Sequence, residues 1–102
     1  MSTSQPPMLL FFTNPRSGPA RRMESLLAHL ARKERHRLRV ARIDLEAHPE
    51  WTERLNVTVI PTLVLIKDRR PVDRLDGRVS APQIERMIAP HLEPSTQIEA
   101  AA

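Results

Sequence analysis

The hydrophobic residues of this 102-residue chain form short runs and stripes that are separated by polar turns. A run of five apolar residues at positions 8–12 is typical of a buried strand, and apolar residues at positions 23, 26, 27 and 30 follow the period of a helix. Residues 38–45 alternate over their first half and predict a second strand. A strand, a helix and a strand in succession form a βαβ unit, which is expected to be parallel and right-handed.

A short helix is predicted after the second strand. We expect its N-cap near Ala47 or His48, with Pro49 in its first turn. Asn56 follows the helix and suits a left-handed C-cap, because asparagine tolerates a positive φ better than most residues.

The last part of the chain predicts a hairpin and a final helix. Residues 62–66 and 72–76 flank a turn at 68–71 and predict two antiparallel strands. The first of these strands should start after Pro61, because proline cannot donate a hydrogen bond within a central ladder. Residues 80–83 read Ser-Ala-Pro-Gln, a capping-box pattern that opens a helix with an apolar stripe.

Length and composition indicate a single domain. A chain of 102 residues suits one hydrophobic core, and no apolar stretch approaches the roughly 20 residues of a membrane-spanning helix. We expect a disordered leader at residues 1–7, a domain at 8–92 and a flexible tail at 93–102. Because residues 1–7 lack the pattern of a signal peptide, we expect a cytoplasmic protein without a membrane partner.

The corner between the first strand and the first helix is the strongest candidate for a functional site. Gly18 is one of only two glycines, and Pro19 suits a first helical turn, where its missing N–H would have no partner anyway. The corner is expected at the carboxyl end of a strand and at the positive end of a helix. Reactive side chains and anion sites are common at such positions.

The chain contains no cysteine, which excludes disulfide bonds, thiolate catalysis and cysteine-based metal sites. We expect neither a metal site nor a cofactor, because the four histidines are scattered without ligand spacing: His29, His36, His48 and His91.

Residues 8–92 resemble thioredoxin in the order of their elements and in several motifs. Residues 17–20 read Ser-Gly-Pro-Ala where that family has Cys-Gly-Pro-Cys, and residues 59–62 resemble its loop with a cis-proline. Gly77 matches a glycine near the family's substrate groove. The resemblance implies the α/β thioredoxin fold, β-α-β-α-β-β-α, with a four-stranded mixed sheet and helices on both faces.

This chain differs from thioredoxin at the residues that carry out disulfide exchange. Thioredoxin uses a thiolate at a helix N-terminus, which lowers a cysteine pKa from about 8.5 into the range of about 3.5–7.5. Ser17 and Ala20 stand where the cysteines would be, and a serine hydroxyl is too weak an acid to ionise there. The resemblance also places Phe11 where the family has a proton-transferring aspartate, and Thr13 and Arg16 where it has aromatic residues. Disulfide exchange is therefore excluded.

Ser17 and Pro61 each have two interpretations. Ser17 can be the helix N-cap, or it can donate to a bound thiolate, as a serine does in some glutathione transferases of related fold. Pro61 can lock the start of the hairpin. Its cis bond, which the resemblance implies, can also expose backbone groups of Val59 and Ile60 to an extended peptide. The two interpretations of Pro61 are compatible.

Positive charge is concentrated in residues 13–42, which carry nine Arg or Lys against two Glu. Arg16, Arg21 and Arg22 crowd a helix N-terminus, where a cation is disfavoured by about 0.3–1 kcal/mol. These arginines have two interpretations. They can form a solvated face of an arginine-rich protein, or they can form a site for an anion or an acidic partner, built from guanidinium groups and free helix N–H groups. Nucleic acid is not expected, because two Phe, one Trp and no Tyr offer little for base stacking.

We therefore expect a redox-inactive binding or adaptor module rather than an enzyme. Its partner would be a protein or peptide, with the arginines favouring an acidic one, and the protein itself would be a monomer or a weak dimer. The alternative is an enzyme or carrier that holds glutathione or another anionic thiol with Ser17 and the arginines. We call the expected binding residues the motif surface: Arg16, Ser17, Gly18, Pro19, Ala20, Arg21, Arg22, Val59, Ile60, Pro61 and Gly77.

Overall fold

The elements follow one another in the order that the hydrophobic pattern predicts. A computed structural model describes residues 5–93 of the chain. Its elements are β1 (Met8–Thr13), α1 (Gly18–Lys33), β2 (Arg39–Asp44), α2 (Glu50–Leu55), β3 (Thr62–Lys67), β4 (Arg70–Asp76), α3 (Ala81–Ile88) and a 3-10 turn at Ala89–His91.

The expected leader and tail lie partly outside the described residues, since 1–4 and 94–102 are not described. Pro7, the last residue of the expected leader, is buried. Its carbonyl oxygen accepts a hydrogen bond of 3.0 Å from the Arg39 N–H. Pro7 is therefore part of the folded domain.

The four strands form one mixed sheet in the order β2-β1-β3-β4. β1 pairs with β2 in parallel, whereas β1 with β3 and β3 with β4 are antiparallel. The predicted βαβ unit, the hairpin and the α/β class are therefore confirmed. β1 and β3 occupy the centre of the sheet, which explains why their sequences read as nearly continuous apolar runs.

The core consists of two clusters, one on each face of the sheet, because successive side chains of a strand point to opposite faces. Phe11 of β1 belongs to the cluster beneath α1 and α3. Phe12 belongs to the cluster on the other face, where Trp51 of α2 packs against it. The two ring centroids lie 6.1 Å apart at an angle of 57°. α2 therefore packs on one face of the sheet, and α1 and α3 pack on the other.

The predicted helix ends are confirmed at two positions. The Ser80 hydroxyl accepts a hydrogen bond from the Gln83 N–H, and the Gln83 side-chain oxygen accepts one from the Ser80 N–H at 2.9 Å, which completes the capping box. Asn56 ends α2 in the left-handed region, with φ 53° and ψ 48°.

The expected N-cap of α2 near Ala47 or His48 is wrong, because the N-cap is Pro49. The helix begins at Glu50, and Pro49 is its N-cap without a side-chain capping bond. The Ala47 and His48 N–H groups both donate to the Asp44 carbonyl oxygen, at 3.1 and 2.9 Å. These two residues therefore form a turn at the end of β2 that leads into the helix, and the Trp51 N–H donates to the His48 carbonyl oxygen at 3.3 Å.

The hairpin turn is shorter than the expected residues 68–71. Only Asp68 and Arg69 separate the strands, and both have a positive φ, 54° and 67°. Two left-handed residues match the twist that a tight hairpin needs. β4 then begins at Arg70 and includes Pro71, which an edge strand tolerates at a register irregularity opposite Ile66.

Candidate functional site

The loops with the candidate residues meet at one edge of the sheet. The strand register pairs Thr13 with Asp44, Phe12 with Thr62, and Thr62 with Asp76. The loops after β1, β2 and β4 therefore lie beside the loop before β3. This edge is the carboxyl end of the parallel strands, where α/β proteins commonly place their sites.

Asn14 shapes the corner between β1 and α1. Its side-chain oxygen accepts a hydrogen bond of 2.9 Å from the Arg16 N–H, and its carbonyl oxygen accepts one of 3.3 Å from the Ser17 N–H. Asn14 is not among the site residues predicted from the sequence. Its signal was the Asn-Pro pair, because asparagine often bonds the backbone two residues on and so starts a turn.

Ser17 caps α1. Its hydroxyl accepts a hydrogen bond of 3.1 Å from the Ala20 N–H, and its carbonyl oxygen accepts one of 3.1 Å from the Arg21 N–H. The N-cap interpretation of Ser17 is confirmed. Pro19 has no N–H, so within residues 5–93 Gly18 has the one N–H of the first turn that lacks a partner. The expected set of free helix N–H groups is thus a single donor.

Ala20 lies beneath the corner. It is 0% exposed and belongs to the same cluster as Leu63, with Ile60 packed against that cluster. Phe11 belongs to this cluster too and is 2% exposed. The positions that carry the second cysteine and the acid in thioredoxin are therefore parts of a continuous apolar core in this chain.

The loop before β3 is held by two short hydrogen bonds. The Gly77 N–H donates to the Pro61 carbonyl oxygen at 2.7 Å, and the buried Thr62 hydroxyl donates to the Val59 carbonyl oxygen at 2.7 Å. The Ile60–Pro61 peptide bond is cis. These contacts place Gly77 directly beside the loop and fix the backbone on either side of Ile60.

Ile60 has unpaired backbone groups at the surface of this loop. In the described part of the chain, neither its N–H nor its carbonyl oxygen has a hydrogen-bond partner. The neighbouring Val59 side chain is 41% exposed, which is unusual for a large apolar residue here. The loop therefore has one backbone donor and one backbone acceptor without a partner, next to one exposed apolar side chain.

The three arginines at the corner, Arg16, Arg21 and Arg22, do not form one cluster. Arg16 is 84% exposed and lies 3.4 Å from Glu46, in the loop after β2. Because β1 lies between β2 and β3, this contact directs Arg16 away from Pro61. Sequence reasoning missed Glu46 because it lies thirty positions from Arg16 along the chain and only the parallel pairing of β1 with β2 brings it near.

The other two arginines also differ in position. Arg21 lines a depression of about 220 Å³ together with Glu24, Arg42 and Asp44, again on the β2 side of the corner. Arg22 folds back toward Gly18, and its guanidinium lies 4.0 Å from the point where a side chain on Gly18 would begin. Of the three arginines, only Arg22 has an atom within 4.0 Å of that point, so the residues of the expected motif surface do not all lie together.

Replacement of Arg16, Arg21 and Arg22 by Gln should change the free energy of unfolding by less than about 1 kcal/mol. The exposed Arg16–Glu46 pair contributes about 0–1 kcal/mol, and the removal of cations from a positive helix end offsets that loss. Urea denaturation measures the change.

The matched control is a single change, Arg37→Gln. Arg37 is half-buried and bonds both Glu34, at 2.9 Å, and the Glu93 carbonyl oxygen, at 3.0 Å. Its loss should cost more than the triple change, about 1–3 kcal/mol, because charged hydrogen bonds are broken. A marked destabilisation by the triple change would mean that the three arginines have a structural role.

Comparison with known proteins decides the family. The sequence model of the thioredoxin family matches residues 1–90. The chain belongs to the thioredoxin family. It is 33% identical over 87 residues to the thioredoxin of Alicyclobacillus acidocaldarius, which covers 85% of this chain and 83% of that protein. It is 35% identical over 75 residues to a thioredoxin of Mycobacterium tuberculosis, which covers 74% of this chain and 65% of that protein.

Solved structures of thioredoxins have the same fold. The germline-specific thioredoxin Deadhead of Drosophila melanogaster superposes with a TM-score of 0.77 at 30% identity, over 83% of this chain and 80% of that one. The thioredoxin of Fasciola hepatica superposes with a TM-score of 0.78 at 27% identity, over 84% of this chain and 81% of that one. The predicted thioredoxin fold is therefore confirmed.

This thioredoxin-family protein lacks the thiols of its family's reaction. With no cysteine in the chain, it cannot cycle between a dithiol and a disulfide. Within residues 5–93, no cluster of three or more His, Asp or Glu is placed to hold a metal ion. None of the helices in that part is long and apolar enough to span a membrane.

Proposed function

We propose that this protein is a redox-inactive member of the thioredoxin family that binds an extended segment of a partner protein on the loop of Val59, Ile60 and Pro61. The observation that carries the proposal is the pair of unpaired backbone groups of Ile60, beside a corner without thiols. The loop has kept the features of a peptide-binding loop, whereas the residues for disulfide chemistry have been replaced.

Backbone pairing would supply the affinity. An extended peptide can accept a hydrogen bond from the Ile60 N–H and donate one to its carbonyl oxygen, as in the first step of strand addition. The bonds from Thr62 and Gly77 already fix this loop. Binding therefore avoids much of the entropic cost of ordering a mobile segment.

The neighbouring side chains favour one kind of partner. Val59 offers an apolar contact, and Arg22 places a positive charge beside Gly18. Gly77 has open space around it, since no atom lies within 4 Å of the point where a side chain would begin. We therefore expect the bound segment to carry an apolar residue next to an acidic one.

The test compares two valines of nearly equal exposure. Peptides selected by display on the full chain are titrated against the wild type, Val59→Glu and Val72→Glu. Val59 is 41% exposed on the loop, and Val72 is 40% exposed on β4 near the opposite end of the sheet. Val59→Glu should weaken binding by about tenfold or more, which corresponds to at least about 1.4 kcal/mol.

Val72→Glu serves as the control and should leave the affinity of the same peptides unchanged. Equal loss in both variants, or a loss confined to Val72→Glu, would place the binding site elsewhere and contradict the proposal. Failure to select any peptide that depends on Val59 would do the same.

A glutathione site has less support from the geometry. Ser17 already accepts the Ala20 N–H, and Gly18 offers one N–H in place of several. We therefore expect saturating glutathione to leave the melting temperature unchanged, because a ligand that binds only the folded state must raise it. A rise that disappears in Ser17→Ala would instead support the glutathione alternative.

A further inference from the structure

β2 is an outer strand of the sheet, and its backbone is open along one side. The Arg39 N–H donates to Pro7 and the Leu45 N–H donates to Thr13, both on the β1 side. Alternate residues of a strand direct their backbone groups to the same side. Val40 and Arg42 therefore direct both N–H and carbonyl away from the sheet. Asp44 directs only its N–H to the open side as a free group, because its carbonyl oxygen accepts from the Ala47 and His48 N–H groups.

The two outer strands differ in how they resist further pairing. β4 contains Pro71 and a register irregularity opposite Ile66, both of which disturb a regular ladder. β2 reads Arg-Val-Ala-Arg-Ile-Asp and pairs with β1 without a register shift. It contains neither proline nor glycine. β2 is therefore the edge that can accept another strand.

An apolar groove runs beside this open edge, on the face of the sheet that α1 covers. Its volume is about 300 Å³, and two small residues of α1, Ala28 and Ala31, form one wall. Phe11, Leu27 and Val40 complete its apolar lining, and the Arg42–Glu24 ion pair, at 3.0 Å, lines the groove as well. A strand added to β2 would place every second side chain over this groove.

We propose that the β2 edge and this groove form a second docking surface, at which an extended peptide with acidic ends adds a strand to the sheet and inserts an apolar side chain between α1 and β2. Main-chain hydrogen bonds give affinity in this mode, and a pocket for alternate side chains gives specificity. The surface is separate from the loop of Val59, Ile60 and Pro61, so it does not depend on the function proposed above.

Charge favours acidic ends. Three exposed arginines surround the start of β2, and among the described residues none of them forms an ion pair: Arg32, Arg35 and Arg39. The other cations of this region have partners, since Lys33 lies 3.3 Å from Glu85 and Arg37 lies 2.9 Å from Glu34. An acidic flank on the peptide would complement the remaining positive charge.

A second copy of this chain fits the surface less well. In a two-fold pair, β2 would meet β2 of the copy in antiparallel orientation, and the same face of both strands would lie over the groove. The side chains brought to the groove would be those of the copy's own Val40, Arg42 and Asp44, two of which are charged. Only one of these three side chains is apolar, so the copy would bury less apolar surface against Phe11, Leu27 and the two alanines than an apolar peptide segment would.

The test uses a defined peptide and the full chain. The probe is a blocked peptide of sequence Glu-Glu-Thr-Val-Thr-Val-Thr-Glu-Glu, and the readout is hydrogen exchange of the amides that face outward from β2. On saturation, exchange of the Val40, Arg42 and Asp44 amides should slow by about tenfold or more. The same peptide with lysine for glutamate, or with proline for the central threonine, should not produce this protection.

Two substitutions on α1 provide the matched pair. Ala28→Glu puts a charge into the groove and should abolish the protection, whereas His29→Glu puts the same charge on the next residue of the helix, outside the groove lining. Both residues are exposed, and glutamate is a good helix former, so both variants should fold. Val59→Glu should leave the protection unchanged.

Several results would overturn the proposal. The first is no binding of the acidic probe at about 1 mM, an affinity too weak for a specific site. The second is binding that leaves the three amides unprotected, or equal protection with a thymidine oligonucleotide, which would indicate a general polyanion surface. The third is protection of these amides in the free chain, which would mean that another segment or a second copy already covers the edge.

Discussion

A variant with both motif cysteines restored, Ser17→Cys with Ala20→Cys, should be at most a weak disulfide reductase. Position 17 lies at a helix N-terminus, where a thiolate is stabilised. Position 20 lies beneath the corner and is 0% exposed, so a second thiol there would be shielded from solvent. The variant still lacks an acid on β1, because Phe11 is part of the apolar core.

The missing acid sets the size of the effect. Proton transfer by a positioned side chain contributes about 10²–10⁴-fold to a rate. We therefore expect insulin reduction with dithiothreitol to run roughly 10²–10⁴-fold more slowly than with a thioredoxin that has both cysteines and the acid. The wild-type chain should show no rate above buffer.

Two outcomes of this assay would count against the account. A double-cysteine variant as fast as an active thioredoxin would mean that no acid at position 11 is needed. A wild-type rate that survives purification and depends on Ser17 would mean that the chain is an enzyme after all.

Phe11→Asp should destabilise the fold by more than about 3 kcal/mol at neutral pH. Truncation of a buried phenylalanine costs about 3–5 kcal/mol, and Phe11 is 2% exposed in a cluster with Leu27 and Leu63. A carboxylate at that position adds the cost of a buried charge. Because domains of this size are stable by only about 5–15 kcal/mol, the change could remove much of the total.

The effect should depend on pH in a defined direction. Burial would raise the pKa of the new carboxyl group above its value in the unfolded chain. The unfolded state then ionises first, so the variant should lose further stability as the pH rises above the ordinary aspartate pKa of about 3.9. Urea denaturation followed by fluorescence of Trp51, the single tryptophan, measures this at two pH values.

Phe11→Leu is the control for the carboxylate. It keeps an apolar side chain and should cost about 1.5 kcal/mol or less. If Phe11→Asp unfolds no more easily than Phe11→Leu at neutral pH, the core around position 11 already accommodates a charge. Phenylalanine would then have replaced the family's aspartate at position 11 without any repacking of the surrounding core.

The sequence predicted the fold because its signals are local and agree with one another. The stripe of α1, the apolar run of β1 and the capping box at Ser80 each depend on residues a few positions apart. The misplaced boundaries have a physical reason as well. Asp68 and Arg69 adopt left-handed conformations that residues other than glycine seldom choose, so the pattern favoured a longer turn.

The candidate site was only partly predictable. The corner and the loop of Pro61 meet because the strand register brings them together, and the family resemblance implied that register. The directions of the arginines were not accessible in the same way. Arg16 turns toward Glu46, and Arg21 lines a depression that Asp44 also lines, because β1 pairs with β2. No local pattern around residues 16–22 specifies that pairing.

Amide NMR of the full chain, titrated with a display-selected peptide, tests the central claim most directly. We expect the largest shift changes on the amides of Gly18 and Ile60, which have no partner in residues 5–93, and of Gly77, which bonds the Pro61 carbonyl oxygen beside them. These changes should vanish in Val59→Glu and persist in Val72→Glu. Unchanged amides at all three residues, with shift changes elsewhere on the protein, would contradict the claim that this redox-inactive member of the thioredoxin family binds its partner at the corner between β1 and α1 and the loop of Pro61.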